Sequence, residues 1–99
     1  MATTSYRRIE SVELTIAIIK YMAQKVQPVS GNEIAEALAK PHGTVMCHLA
    51  TLEEGGFVKR AGGGFEIGIY LGVIWASIKS SRQARISEAH SDLNKITIE

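Results

Sequence analysis

The chain contains a single cysteine, Cys47, so it cannot form an intrachain disulfide, and this fits a reducing cytoplasm. Long apolar runs are also missing. The first ten residues, MATTSYRRIE, lack the apolar centre of a signal peptide. The most apolar segment, 67–78, is too short and too interrupted to span a bilayer. These absences predict a cytoplasmic protein that is not inserted in a membrane.

The motifs of common enzyme classes are absent as well. The glycines at 62–64 lie between two short predicted strands, whereas a phosphate-binding loop lies between a strand and a helix and carries a lysine. No pair of nucleophile and base stands out among the polar residues. His42, Cys47 and His48 match no structural zinc spacing. We therefore expect no enzymatic activity, no metal and no cofactor.

The composition is that of an ordinary globular domain. Of the 99 residues, 45% are hydrophobic and 21% are charged, which is enough for one small core. The net charge of +1 is lower than that of most stand-alone nucleic-acid binders. Any basic surface must therefore come from the distribution of the charges.

Helical spacing dominates the first forty residues. Ser11 is the expected N-cap of a first helix that runs to about Lys25. Its expected buried stripe consists of Val12, Ile16, Ile19, Met22 and Ala23, with Leu14 and Ile18 as a second apolar flank. Ser30 and Glu33 form a capping box for a second helix over about 31–39. That helix is expected to bury Ile34, Ala35 and Leu38.

A third helix and a hairpin follow. Pro41 suits the first turn of a helix over about 41–54, in which Val45, Leu49 and Leu52 share one face. The glycines at 55–56 end it. Strands at 57–60 and 65–67 flank the glycine turn at 62–64. The order predicts a mainly α fold with a small β-hairpin, a winged helix-turn-helix plus a C-terminal helical segment.

The C-terminal segment carries two apolar stripes. The first consists of Leu71, Ile74 and Ile78, and we expect it to join the chain's own core. The second consists of Ile86, Ala89, Leu93 and Ile96. Lys79 to Arg82 interrupts the pattern, so the segment is either one long helix with a weak point or two helices. We divide the chain into a flexible basic arm (1–10), a winged helix-turn-helix domain (11–68) and a helical dimerisation segment (69–99).

The exposed face of the third helix is the candidate for reading DNA bases. Its side chains are small and nearly uncharged, which permits close approach to a groove but offers few base-reading donors. The candidate base contacts are His42, Gly43, Thr44, Cys47 and Thr51. The candidate phosphate contacts are Arg7, Arg8, Ser30, Lys40, Lys59 and Arg60. The alternative for these cations is that they are ordinary solvated charges.

A homodimer is expected because the segment after Ile67 holds more apolar surface than one small domain can cover. The candidate interface residues are Val73, Trp75, Ile86, Ala89, Leu93 and Ile96. Ile86, Ala89, Leu93 and Ile96 have the spacing of a helix–helix contact. A symmetric pair also places two recognition helices on one duplex.

Six short segments of the chain match the pattern of one known family. They are Ser11-Val12, Glu33-Ile34-Ala35, Pro41-x-Gly43-Thr44-Val45, Leu49-Ala50-Thr51-Leu52-Glu53, Gly56-Phe57-Val58 and Phe65-Glu66-Ile67-Gly68. In these segments, over about two thirds of its length, the sequence resembles the DNA-binding domain of IclR-type transcriptional regulators. More loosely, 89–99 is similar to the family's linker helix. The resemblance implies a winged helix-turn-helix that binds duplex DNA.

Three positions in the third helix depart from the family pattern. Cys47 stands where the family usually has arginine, His48 where an apolar residue is common, and His42 where lysine is frequent. The chain stops at Glu99, without the family's effector-binding domain, so we expect no small-molecule sensing from it.

Three hypotheses follow for the function. The first is a sequence-specific regulator that binds double-stranded DNA as a homodimer, with helix 41–54 in the major groove and the wing at 57–67 on the backbone or minor groove. The second is a winged-helix module that binds another protein instead of DNA. The third is a small helical dimer without enzymatic activity.

Overall fold

A computed structural model describes the backbone of residues 6–98 and the side chains of residues 6–93. Its elements in chain order are α1 (Glu10–Ala23), α2 (Gly31–Leu38), α3 (His42–Glu54), β1 (Val58–Ala61), β2 (Gly64–Ile67) and α4 (Ile69–Ile98). The two strands form one antiparallel hairpin. The predicted fold class, mainly α with a small hairpin in a winged helix-turn-helix, is confirmed.

Helix α1 differs from its prediction at both ends and in its buried face. Its N-cap is Ile9, which has no side-chain cap, and Ser11 lies inside the first turn. The buried residues are Leu14 and Ile18, which the sequence predicts as a second flank, and Met22, which the predicted stripe contains. Ile19 of the predicted stripe is partly buried against the core, whereas Val12 and Ile16 are half-exposed. Tertiary packing decides which apolar side of the helix is buried.

Helix α2 begins at the predicted cap and ends at a left-handed residue. Ser30 Oγ accepts a hydrogen bond from the Glu33 amide at 3.1 Å. The Glu33 carboxylate turns toward α1, where Oε2 accepts from the Tyr21 hydroxyl at 2.7 Å. Ala39 has φ 55, and its amide bonds back to the carbonyls of the last turn. This left-handed residue stops the helix at Leu38 and turns the chain into α3.

Helix α3 and its core face follow the prediction. Pro41 is the N-cap, with extended backbone, and the helix runs from His42 to Glu54. Val45, Leu49 and Leu52 are buried. Gly56 has φ 81, which suits a glycine at the exit from the helix.

The hairpin turns through two glycines, fewer than the three predicted. Gly62 and Gly63 have φ 51 and 79, the left-handed values that a tight two-residue hairpin turn requires. Gly64 belongs to β2 and pairs with Ala61. Val29 and Phe65 exchange two backbone hydrogen bonds of 2.7 and 2.9 Å, so the segment before α2 is held to β2 by an isolated antiparallel bridge. A Cβ on Gly64 would lie 2.7 Å from the Val29 oxygen, which explains glycine there.

The core lies entirely between Leu14 and Phe65. Its buried side chains are Leu14, Ile18, Met22, Val29, Ile34, Ala35, Val45, Leu49, Leu52, Val58 and Phe65. The chain divides into two units, 1–68 and 69–99. No side chain that the structure describes in α4 is buried.

Helix α4 continues without a break through Lys79 to Arg82, so the two-helix alternative is wrong. Ile78 is 44% exposed and neither Leu71 nor Ile74 is buried, which contradicts the expectation that this stripe joins the core. Across the described residues, no helix has both the length and the apolar character needed to cross a membrane.

Candidate functional site

The exposed face of α3 has the small side chains predicted for it. Gly43, Thr44, Cys47 and Thr51 are all exposed, and His42 is exposed at the first helical position. A Cβ built on Gly43 has no heavy atom within 4 Å, so the space above the first turn is open. Gly43, Thr44, Cys47 and Thr51 therefore lie together on one accessible surface. His42 lies on the side of α3 that faces α2, where its Nε2 is 3.5 Å from the position of a Cβ built on Gly31.

Helical geometry divides this surface further. At 100° per residue, Gly43, Cys47 and Ala50 lie opposite the buried stripe, and Glu54 lies in line with them at the C-terminal end. Glu54 is exposed, and the sequence interpretation overlooked it. Its charge makes the C-terminal end of this face unfavourable for a polyanion. The N-terminal half is the part that a nucleic acid can approach.

The two threonines on this face differ in their freedom to form hydrogen bonds. Thr51 Oγ1 donates to the Cys47 carbonyl at 2.9 Å, so its hydroxyl hydrogen is already used. The Thr44 hydroxyl has no hydrogen-bond partner among the residues that the structure describes. Thr44 can therefore donate or accept, whereas Thr51 can only accept.

His48 joins the face to α1, a role that the sequence interpretation missed. Its Nδ1 lies 2.8 Å from the Thr44 carbonyl oxygen, and its Nε2 lies 3.2 Å from the Ser11 carbonyl oxygen. A neutral imidazole donates to one of these carbonyls and a protonated imidazole donates to both. The contact fixes the first turn of α1 beside the middle of α3. Because Ser11 is 37 residues away in sequence, no local pattern predicts the pair.

A shallow groove of about 330 Å³ runs between α1 and α3. It is lined by Ser11, Val12, Thr15, Cys47, His48, Thr51 and Leu52. The arm that precedes α1 therefore begins beside the exposed face of α3. Arg8 is three residues before Ser11, so its backbone lies within about 11 Å of that residue, and its guanidinium contacts Glu13 of α1 at 3.8 Å.

The wing cations Lys59 and Arg60, both candidate phosphate contacts, are each paired with an acid. Lys59 Nζ is 3.2 Å from Glu66 Oε2. Arg60 Nε is 3.2 Å from both carboxylate oxygens of Glu53, and its guanidinium lies 5.1 Å from the centre of the Phe65 ring. Lys59 and Glu66 are direct cross-strand partners, a pairing that depends on the hairpin register.

The other phosphate candidates fall into two groups. Arg7 and Lys40 have no ion pair among the described residues, and Arg8 makes only a 3.8 Å contact with Glu13. Lys40 lies immediately before the N-cap of α3, where the first turn has neither an acidic residue nor a side-chain cap. Ser30, in contrast, is already used as the cap of α2.

The dimer candidates on α4 separate into two sides of one helix. Val73, Trp75, Ile86 and Leu93 are each about 60% exposed, and Ala89 is exposed as well. At 100° per residue Trp75, Ile86, Ala89 and Leu93 share one side, whereas Val73 lies on the opposite side. The side chain of Ile96 lies outside the described residues.

Comparison with known proteins assigns the fold to a family. The IclR helix-turn-helix domain matches residues 11–62, just over half of the 99 residues. No curated protein matches the chain. Its structure is similar to the crystal structure of an IclR transcriptional regulator from Alicyclobacillus acidocaldarius, with 29% identity and a TM-score of 0.66. The match covers 71% of this chain and 29% of that one, so the chain spans less than a third of that regulator's length. The chain therefore belongs to the IclR helix-turn-helix domain family.

Proposed function

We propose that this chain is a DNA-binding module of a transcription regulator, which inserts α3 into the major groove of duplex DNA. The observation that carries the proposal is the exposed face of α3 in an IclR helix-turn-helix domain. The side chains on the N-terminal half of this face are small. The helix N-terminus beside them has no side-chain cap, and Lys40, just before it, has no ion pair among the described residues. A face built for catalysis instead requires clustered functional groups, and α3 offers none.

Close approach is the first requirement of groove binding. An α-helix with its side chains is about 10–12 Å across, and the major groove is about 12 Å wide. Gly43, Cys47 and Ala50 add little to that diameter, so the N-terminal half of α3 fits deeply. Glu54 at the far end points the same way and keeps that end away from the phosphates. The helix thus enters the groove with its N-terminus first.

Sequence reading by this helix depends on few groups. The free Thr44 hydroxyl can donate to or accept from a base edge, and its methyl group can pack on a thymine methyl. Cys47 lies one turn further along, at the centre of the exposed face. Neither arginine nor asparagine is present there to make a bidentate base contact. We infer a recognition code built on close packing with one or two hydrogen bonds.

Phosphate contacts supply most of the affinity. The backbone amides of His42, Gly43 and Thr44 are unbonded within the helix and lie at its positive end, where an anion is favoured. Lys40 adds a full charge just before that end, and Arg7 and Arg8 supply two more cations from the arm before α1. Such contacts set the position of the protein on the duplex without reading sequence.

The wing contributes to DNA binding through Lys59 and Arg60, which exchange their carboxylate partners for DNA phosphates. Exposed ion pairs such as Lys59–Glu66 and Arg60–Glu53 are worth about 0–1 kcal/mol, so a phosphate can replace the carboxylate at little cost. The displaced carboxylates of Glu66 and Glu53 stay nearby and repel the phosphates of the DNA. The wing therefore contributes less than two free cations would.

The module acts as a homodimer through α4. Trp75, Ile86 and Leu93 are exposed on one side of a continuous helix, and such a stripe requires a covering partner. Truncation after Ile78, or Leu93→Glu, should shift sedimentation toward monomer and weaken DNA binding together. A wild-type chain that sediments as a monomer at tens of micromolar contradicts the dimer, whatever the DNA result.

The decisive experiment measures binding to a labelled random duplex by fluorescence anisotropy as salt rises from about 50 to 200 mM. Binding through phosphate contacts should weaken steeply and linearly on a log–log plot. A matched single-charge variant, Lys40→Ala, should flatten the slope by about one. Absence of binding at the lowest salt would instead favour the protein-interaction alternative, which the charge-neutral wing also fits.

A further inference from the structure

Helix α3 offers few side chains that distinguish one base pair from another. It contains no arginine, asparagine or glutamine, the residues that make bidentate contacts with guanine or adenine in the major groove. On its exposed face, the Thr44 hydroxyl has no partner among the described residues, whereas the Thr51 hydroxyl already donates to a backbone carbonyl. Any further sequence reading therefore depends on side chains outside α3.

The wing is poorly suited to read a second groove. Lys59 Nζ lies 3.2 Å from Glu66 Oε2, and Arg60 Nε lies 3.2 Å from Glu53 Oε2, so these four charges sum to zero. An A·T-rich minor groove is narrow and carries an enhanced negative potential, which attracts cations and repels carboxylates. A basic segment without such acids fits that groove better than the wing does.

The described part of the arm before α1, residues 6–9, carries two arginines that stand clear of the fold. Tyr6 is 94% exposed and Ile9 is 62% exposed, so the chain does not pack on the domain here. Arg7 is exposed and has no ion pair among the described residues. Arg8 makes a 3.8 Å contact with Glu13. Arg7 is thus the arginine of the arm that no described carboxylate holds.

His48 fixes the point from which the arm leaves the domain. Its Nε2 lies 3.2 Å from the Ser11 carbonyl oxygen and its Nδ1 lies 2.8 Å from the Thr44 carbonyl oxygen, so the first turn of α1 is held beside α3. Arg7 is four residues before Ser11, so its backbone lies within about 14 Å of that residue. The major and minor grooves alternate every half turn of the duplex, about 17 Å. The arginine side chain adds the remaining length, so Arg7 can reach the minor groove next to a major groove that α3 fills.

The acids of α1 restrict any such contact to the arm. Glu10 and Glu13 lie in the first turn of α1. At 100° per residue, Glu13 is about 160° around the helix from Ser11, which lines the groove between α1 and α3. These charges keep α1 itself away from the phosphates, so the residues before Glu10 are the ones that enter a groove.

We infer that Arg7 inserts into the minor groove beside the half-site bound by α3 and gives the protein a preference for A·T-rich flanking DNA. This contact rests on the DNA binding of the proposed function and adds a reader of a second groove. Guanine places an amino group in the minor groove, whereas A·T pairs leave the groove floor open. The guanidinium is more weakly hydrated than an ammonium group, so arginine enters such a groove more readily than lysine does.

Duplexes that differ only beside the binding site test which groove is read. Each carries the site that the wild type selects from a random pool, flanked on both sides by about five pairs, half a turn, of A·T or of G·C. Fluorescence anisotropy should show binding at least about five-fold tighter with A·T flanks. A third duplex has inosine in place of every flanking guanine, which removes the minor-groove amino group and leaves the major-groove pattern unchanged. It should bind like the A·T duplex, and binding like the G·C duplex overturns the inference.

Two substitutions of Arg7 separate groove reading from simple attraction to phosphates. Arg7→Ala should remove the flank preference and flatten the salt slope by about one. Arg7→Lys keeps the charge, so it should keep the slope while lowering the preference for A·T flanks. Lys40→Ala is the matched control, because Lys40 also has no ion pair among the described residues, and it should flatten the slope equally and leave the preference unchanged. Loss of the preference in Lys40→Ala, or its retention in Arg7→Ala, contradicts reading by Arg7.

These outcomes distinguish the arm contact from the proposed function. A wild type that binds duplex DNA with equal affinity for all three flanks overturns the minor-groove contact and leaves the role of α3 standing. So does an Arg7→Ala variant that loses affinity equally on every flank, because Arg7 is then a phosphate contact only. Absence of binding at the lowest salt overturns the DNA binding and the arm contact together. Circular dichroism of each variant confirms that the fold is retained.

Discussion

The two units of the molecule contain similar apolar residues in opposite environments. In unit 1–68, every turn of α3 contributes to the core, and Val45 and Leu49 are fully buried. In α4, Trp75, Ile86 and Leu93 stay about 60% exposed. Helical spacing alone predicts an apolar face in both units. The comparison shows that a periodic pattern identifies an apolar face but does not decide whether the chain's own core covers it.

The largest expected effect contrasts a core leucine with an α4 isoleucine. Leu49→Ala should lower the free energy of unfolding by about 2–5 kcal/mol, since it leaves a cavity among buried neighbours. Ile86→Ala should change it by less than about 0.5 kcal/mol when the protein is dilute enough to be monomeric. Urea denaturation followed by circular dichroism measures both. An equal loss in the two variants would mean that α4 is buried in the monomer.

A pair of glycine substitutions should change the stability of the protein in opposite directions. A Cβ on Gly64 would lie 2.7 Å from the Val29 oxygen and 2.9 Å from its carbonyl carbon, so Gly64→Ala must push two backbones apart. We expect a loss of about 1–3 kcal/mol. Gly72 lies inside α4 with no atom within 4 Å of a built Cβ, and Gly72→Ala should gain up to about 1 kcal/mol of helix stability. Thermal unfolding of both variants checks the signs.

Local signals explain which parts of the fold the sequence predicts. The Ser30 cap, the Pro41 start and the 55–56 glycine stop each act within four residues, and all three agree with the structure. The buried side of α1 depends on packing across the domain, so the sequence predicts Met22 correctly but exchanges Val12 and Ile16 for Leu14 and Ile18. The backbone bridge between Val29 and Phe65 is equally non-local.

The candidate site divides in the same way. The exposed face of α3 follows from its helical spacing and agrees with the structure. The neutral wing does not follow from spacing, because Lys59 and Glu66 become partners only when the turn has two residues. A three-glycine turn at 62–64 would shift the register by one residue, so Glu66 would no longer lie opposite Lys59. The contact of His48 with Ser11 joins distant segments and had no local signal.

The third prediction concerns the charges of unit 1–68. Lys59→Ala with Arg60→Ala should weaken binding of all duplexes about equally and flatten the salt slope by at most about two. Glu66→Gln should act in the opposite direction, since it frees Lys59 and removes a repelling carboxylate, and a gain of a few-fold is expected. Fluorescence anisotropy across a salt series measures both changes.

The charge-matched control for this prediction is Glu36→Gln. Glu36 lies exposed on α2, without an ion pair among the residues that the structure describes, so its removal changes net charge but leaves the wing intact. If Glu36→Gln and Glu66→Gln strengthen binding equally, net charge alone is responsible. The wing would then be away from the DNA.

The variants with the smallest expected effect on DNA affinity test which side chains determine the preferred DNA sequence. Thr44→Ala removes a free hydroxyl, so it should alter which sequences are preferred while changing the overall affinity less than the wing variants do. Cys47→Ala should also alter preference. Thr51→Ala is the internal control, because its hydroxyl hydrogen already bonds the Cys47 carbonyl. Selection of sites from a random pool compares all three with the wild type.

The same selection applied to α4 completes the comparison of the two units. Leu93→Glu should reduce the yield of bound sites, since a monomer holds one recognition helix where a dimer holds two. The preferred bases within each half-site should stay those of the wild type, because α4 presents no side chain to them in this proposal. If Leu93→Glu changes the half-site and Thr44→Ala does not, base reading does not reside in α3, and the division of roles between the units is wrong.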